Sequence, residues 1–163
     1  MQTDTRELAV ALLVRTLAEA YSTKSWLGPN LRGSLRGISG DQAAWRPAPR
    51  RHNIWEIVVH AAYWKYVVRR RLLREKRGSF GLKGSNWFAR PVTRSQETWR
   101  EDLKLLESEH KRLVDVVSGM KVRELEVTPP GSKVSNLTLI SGIAFHDVYH
   151  AGQIQLLKRL QQQ

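Results

Sequence analysis

The chain has 163 residues, 41% of them hydrophobic, and a formal net charge of +12 at pH 7; this predicts one domain covering residues 1–163, with roughly two thirds of the unfolded surface buried. The absence of cysteine excludes disulfides, thiolate metal sites and a cysteine nucleophile. No apolar run approaches the ~20 residues of a membrane span and the start is unlike a signal peptide, so we expect a cytoplasmic protein with no membrane partner.

The positive charge does not by itself predict nucleic-acid binding. Part of the excess falls within residues 69–77, near the expected end of a helix, where cations suit the helix dipole. The chain has neither zinc-finger spacing nor an aromatic RNA-binding signature. We therefore expect no nucleic-acid partner, and attraction of anionic small molecules is the better-supported role for the charge.

Four long helical segments are predicted, and the first covers residues 5–21. Its expected buried stripe consists of leucines: Leu8, Leu12, Leu13 and Leu17. A Gly- and Pro-interrupted stretch follows, with a short extra helix predicted near residues 31–38.

The second helix is predicted at residues 53–77. Asn53 followed three residues later by Glu56 is typical of a capping box. Its predicted inward face includes His60 and is otherwise apolar: Ile57, Ala61, Trp64, Val67 and Val68. Glu56 precedes His60 by one turn, so it can act as a catalytic base or as part of the cap, and the sequence leaves both readings open.

The third helix, residues 95–119, follows a longer connection and has the clearest apolar periodicity in the chain. Its stripe consists of Trp99, Leu103, Leu106, His110, Leu113 and Val117. His110 points inward on this stripe, so it could serve as a fourth metal ligand, as a base in a pocket, or as a buried histidine hydrogen-bonded to a carbonyl. We expect the last of these.

The fourth helix, residues 137–160, has two histidines in the middle of its apolar seam. The seam contains Leu139, Ile143, His146, His150, Gln153, Leu157 and Leu160. His146 and His150 are four residues apart, so they project from the same face, where an imidazole needs a hydrogen-bond partner or a metal. Periodicity alone does not decide whether these histidines are hydrogen-bonded core residues or metal ligands. A metal would need a third ligand from another helix, and His60 is the obvious candidate.

Four other residues of this helix support narrower expectations. Gln153 lies one turn beyond His150 and suits a contact to a metal ligand or to substrate. Asp147 is expected as an exposed or interhelical carboxylate, and Gly142 and Gly152 are expected to permit close helix packing. Together the segments predict an all-α fold: a four-helix bundle with a short extra helix and long connections.

Two segments resemble motifs of the DinB/YfiT-like family. Residues 53–64, Asn-Ile-Trp-Glu-Ile-Val-Val-His-Ala-Ala-Tyr-Trp, are similar to its second-helix motif, and residues 146–154, His-Asp-Val-Tyr-His-Ala-Gly-Gln-Ile, to its last-helix motif. The Gly-Ser-Asn-Trp segment at 84–87 and the helix containing Trp99 also fit. The resemblance implies a four-helix bundle, a homodimer and one divalent metal ion held by His60, His146 and His150.

The resemblance also implies a reaction. Relatives include metal-dependent transferases that act with low-molecular-weight thiols and a maleylpyruvate isomerase that uses a thiol cofactor. Three neutral imidazoles suit zinc or nickel and leave positions for water or substrate. A small-molecule thiol attacking an electrophile would supply the nucleophile that a chain without cysteine lacks. A metal-dependent hydrolase and a non-catalytic, metal-stabilised binding module are the alternatives.

The six tryptophans exceed what one small bundle core needs. Tryptophan is enriched at protein interfaces, so the composition agrees with a homodimer formed through helix faces.

Overall fold

The computed structural model describes residues 2–90 and 95–162, with side chains from residue 8 onward. Within these ranges the regular structure is all α-helical, as predicted, in the order α1 (Gln2–Tyr21), α2 (Leu31–Ser34), α3 (Gly40–Ala44), α4 (Ile54–Leu72), α5 (Gln96–Ser118), α6 (Val122–Leu125) and α7 (Asn136–Leu160). The long helices α1, α4, α5 and α7 form the bundle, with α4 packed on α5 and α7, and α1 on α7 and α5. None of the helices in the described ranges has the length and hydropathy of a bilayer-spanning segment.

The predicted capping box begins α4. The Asn53 side chain accepts a hydrogen bond from the backbone N–H of Glu56 at 2.8 Å, and the Glu56 carboxylate accepts one from the backbone N–H of Asn53. The helix ends at Leu72, short of the predicted residue 77. The chain leaves the helix because Arg74 adopts a left-handed backbone conformation with φ 58°.

The predicted stripe of α1 is partly wrong. Leu17 is fully buried, but Leu8 and Leu12 are 55% and 51% exposed. The inward face consists of Val10, Leu13, Leu17 and Ala20, which pack with the core. The sequence contains two overlapping apolar stripes on this helix, and only contact with α5 and α7 decides which one faces inward.

The connection between α1 and α4 contains two short helices instead of the single one predicted at 31–38. The helix α2 stops at Ser34, and Gly37, with φ 75°, turns the chain before α3. Ser39 caps α3 by accepting from the backbone N–H of Gln42. A capping box at this position was present in the sequence but was not predicted.

The core consists of two apolar clusters separated along the bundle axis. One contains Ile54–Ala62 side chains of α4 with Trp99 and Leu106 of α5, and the other contains Leu113 and Val117 of α5 with Leu139–Ala144 side chains of α7. The α5 stripe is thereby confirmed, with Leu103 only partly buried. Between the clusters lies a layer of buried polar side chains, here called the polar layer: His60, Lys65, Glu109, His110, Asp147 and His150.

Candidate metal centre

Three histidine side chains converge within the polar layer and at its edge. The Nε2 atom of His146 lies 3.1 Å from Nε2 of His60 and 3.0 Å from Nε2 of His150. One ligand atom from each residue falls within 4.8 Å of the other two, so the group could hold a metal ion. In the described ranges no fourth His, Cys, Asp or Glu belongs to this group.

The hydrogen bonds of two of the rings define which nitrogen is available. Nδ1–H of His60 donates to the backbone carbonyl of Asn86 at 2.9 Å, and Nδ1–H of His150 donates to Oε1 of Gln153 at 2.7 Å. A neutral imidazole has one N–H, so both Nε2 atoms present lone pairs. Nε2 of His146 can donate a proton to at most one of them. The convergence therefore suits a cation that accepts all three lone pairs.

Burial favours the neutral form of these imidazoles. It lowers the pKa of His60, and together with the neighbouring imidazoles it lowers the pKa of His146 to about 3. Burial also lowers the pKa of His150 to about 4, although the hydrogen bond to Gln153 opposes the shift. Neutral imidazole is the form that ligates metals, so the rings need lose no proton at neutral pH.

The loop after α4 supports the site, which the sequence did not predict. The Trp87 ring stacks on His60 with centroids 3.8 Å apart, and His52 stacks on Trp87 at 3.6 Å. Asn86 accepts from His60 through its backbone and from Trp64 Nε1 through its side chain, at 2.9 Å each. Asn86 has a positive φ of 63°, which asparagine tolerates better than most residues. A turn was therefore readable from the sequence, but its position against His60 was not.

The family comparison bears on the same residues. A model of the DinB superfamily matches residues 25–154 of the chain, which include both histidine motifs. The chain belongs to the DinB superfamily. Comparison with curated proteins and with solved structures gave no significant match.

In this DinB-superfamily chain the Glu56 carboxylate is engaged by three donors. It pairs with Arg46, lies 3.0 Å from Nδ1 of His52, and accepts from the backbone N–H of Asn53. Burial acts to raise the pKa of Glu56, but the hydrogen bonds from Arg46 and His52 outweigh it, and the pKa is lowered. These contacts account for Glu56 as a cap and ion-pair partner, and its role as a base stays a prediction.

His110 lies outside the three-histidine group. Its ring stacks on Tyr21 with centroids 3.8 Å apart, and burial lowers its pKa to about 3. The expected hydrogen bond to a carbonyl is not formed through Nδ1, which is buried without a partner among the described residues. The contact that the ring does make is the stacking on Tyr21 of α1.

An ion pair joins the two helices that carry the three histidines of the group. Lys65 of α4 donates to Asp147 of α7, and both side chains are 0% exposed. Asp147 directly follows His146, so the predicted interhelical carboxylate lies next to the three-histidine group. Lys65 also lies 5.2 Å from the ring centroid of Tyr21. Lys65 is the one charged residue in the run 61–68, and that was the signal in the sequence for a buried partner.

Proposed function

We propose that the protein is a metal-dependent transferase that joins a low-molecular-weight thiol to a small electrophile. The observation that carries the proposal is the convergence of three Nε2 atoms without a fourth ligand among the described residues. Structural metal sites are usually closed by four protein ligands, whereas catalytic sites keep a position for water or substrate. The chain has no cysteine, so the thiol is supplied by a co-substrate.

A divalent ion held by His60, His146 and His150, with zinc or nickel best suited to this donor set, would lower the pKa of a bound thiol toward neutrality. In the transfer, the thiol sulfur forms a bond to the electrophilic carbon, the leaving group departs with its electron pair, and the thiol proton goes to water. The protein's part is to hold the imidazoles. Gln153 and Asn86 fix the orientation of the His150 and His60 rings, and Trp87 stacks on the His60 ring.

The test uses cobalt-substituted protein titrated with a small thiol such as 2-mercaptoethanol. We expect a sulfur-to-metal charge-transfer band, and turnover of an activated aryl chloride that requires both metal and thiol. The His150→Ala variant should show neither, because it lacks one of the ligands.

Two controls separate the alternatives. Glu56→Gln should leave metal content unchanged, and it should slow turnover only if Glu56 is a base. An ester hydrolysed by the metal-loaded protein without thiol would favour the hydrolase instead. Metal binding with no thiol band and no turnover would contradict the transferase and favour a metal-stabilised binding module.

We further propose that the protein is a homodimer formed through the outer face of α7. Phe145, Tyr149 and Leu156 are 67%, 64% and 59% exposed on this face. Gly142 and Gly152 lie among them, and a Cβ added at either would meet no atom within 4 Å. The expectation that these glycines permit close packing within the bundle is therefore wrong, and their open space instead leaves room for a second chain.

Charge favours a second copy as the occupant of this face. The chain carries a net charge of +12, so two copies repel one another over most of their surfaces. Between residues 136 and 157, α7 contains one charged residue other than histidine, Asp147, and that residue is buried. Two copies can therefore approach one another through the outer face of α7 without bringing like charges together.

Light scattering at tens of micromolar should show a dimer. Phe145→Lys should shift it to monomer, because a central apolar anchor is lost and a like charge is introduced, at a cost on the order of 2 kcal/mol or more. Trp26→Lys, which replaces an aromatic side chain that is 97% exposed outside α7, should leave the dimer intact. A wild-type monomer, or equal effects of both variants, would refute this interface.

A further inference from the structure

A surface groove of about 790 Å³ lies between the second half of α4 and the loop that follows it. Its wall on the helix side includes Arg70 and Arg71, and its wall on the loop side includes Arg77 and Lys83. No acidic side chain lines it. The groove is therefore a concave surface of one sign of charge, which concentrates anions.

The basic side chains of the groove are available to a ligand. In the described ranges none of the four forms an ion pair with a carboxylate. Arg70 uses Nη1 to donate to the backbone carbonyl of Glu75 at 2.8 Å, and its Nε is buried with no hydrogen-bond partner. A buried donor without a partner is destabilising, and reorientation of the Arg70 side chain toward an anionic oxygen in the groove would remove that penalty.

Aromatic side chains form the rest of the groove. Tyr63, Trp64, Tyr66 and Phe80 line it, so the body of a ligand whose anionic group meets the arginines would contact planar apolar surface. The loop is held in place because the Tyr66 hydroxyl oxygen accepts hydrogen bonds from the backbone N–H groups of Gly78 and Ser79, at 3.1 and 3.3 Å. The groove is thus formed before a ligand arrives.

The groove adjoins the metal centre through two shared residues. Trp64 and Asn86 line the groove. The same Asn86 accepts from Nδ1–H of His60, and the Trp64 ring centroid lies 6.3 Å from that of His60. A molecule in the groove therefore lies against the residues that orient a metal ligand.

We propose that this groove binds a small molecule with an aromatic or apolar body and a carboxylate or phosphate group, and that it presents the opposite end of that molecule to the metal centre. The binding itself is independent of the reaction. Its assignment as the site of a reactant rests on the transferase proposed above.

The experiment is calorimetric titration with phenyl phosphate, benzoate and the neutral analogue benzyl alcohol. At least one anion should bind in a saturable manner, roughly tenfold or more tightly than benzyl alcohol, and added salt should weaken it. The tighter of the two anions identifies the preferred group. Equal binding of the neutral analogue would overturn the proposal.

Two matched double variants locate the site. Arg77→Gln/Lys83→Gln should weaken anion binding roughly tenfold. Arg123→Gln/Lys133→Gln removes the same charge from exposed positions that do not line the groove, and should change binding less than twofold. Equal weakening by both variants would show diffuse attraction to a basic protein and would refute the groove.

Metal-free protein separates this proposal from the transferase. Anion binding should persist after chelation and in His146→Ala, since no histidine lines the groove. Anion binding without thiol transfer would support the groove and refute the transferase. Thiol transfer without anion binding would support the transferase and refute the groove.

Discussion

Replacing His146 with alanine will abolish stoichiometric binding of a divalent ion, about one per chain in the native protein. Nε2 of His146 lies between those of His60 and His150, 3.1 and 3.0 Å away, so its loss removes the central ligand of the group. Even loss of a contact that merely orients a ligand lowers metal affinity about 10- to 100-fold. We therefore expect more than a hundredfold loss, measured by metal analysis and by competition with a chelating dye.

Helicity should survive this change, because both apolar clusters remain and His146 is only partly buried. His110→Phe is the matched control, since it replaces a second histidine whose pKa burial lowers, while preserving an aromatic ring against Tyr21. It should retain full metal content. Metal retention by His146→Ala, or comparable loss in both variants, would contradict the assigned site.

Asp147→Ala will destabilise the protein by about 3–5 kcal/mol, because it leaves the Lys65 ammonium fully buried without its partner. Burial lowers the pKa of Lys65 and raises that of Asp147, and each charge opposes the shift of the other. Removing one partner therefore exposes the full desolvation penalty of the remaining charge. Urea unfolding of chelated protein at neutral pH measures this loss without a contribution from bound metal.

Two further variants test whether the buried charge is the cause. Lys65→Met/Asp147→Leu should recover most of the lost stability, because apolar residues of similar size often replace a buried pair without loss. Asp115→Ala breaks an ion pair with Lys111 whose side chains are 59% and 76% exposed, and should cost less than about 1 kcal/mol. A similarly small effect of Asp147→Ala would show that the pair is not an ionised, buried contact.

The ion pair also has a bearing on the site. Lys65 lies on α4 beyond His60, and Asp147 is the neighbour of His146 on α7. It therefore connects the two helices whose separation decides whether the three Nε2 atoms can meet. In Lys65→Met/Asp147→Leu the protein can regain its stability, but α4 and α7 are no longer joined by the ion pair. Metal affinity and the free energy of unfolding can therefore change independently in this variant.

Several features could be predicted because they are properties of one helix. The periodicity of α5 identified its buried stripe, and the spacing of Asn53 and Glu56 identified the capping box of α4. A four-residue spacing places His146 and His150 on one face of any helix that contains them. The sequence also contains no cysteine, so the chain cannot supply a thiolate ligand or nucleophile.

Other features depended on segments far apart in the chain. Helical periodicity describes which residues share a face, but it does not say which face a neighbouring element covers. For that reason Leu12, which was predicted to be buried, is exposed, and Gly142 faces open space. Likewise, the 86–87 turn supports His60 because the loop folds back on α4.

The sequence by itself determined the four long helices, the cap of α4 and a pair of imidazoles on an apolar seam, since these follow from local backbone geometry and side-chain type. Only the tertiary structure decided that His60 meets that pair and that Lys65 neutralises Asp147 within the core. It also decided that an arginine-lined groove adjoins the three-histidine group. These are distances between separate elements, and they are set by how the apolar clusters of the whole bundle pack together.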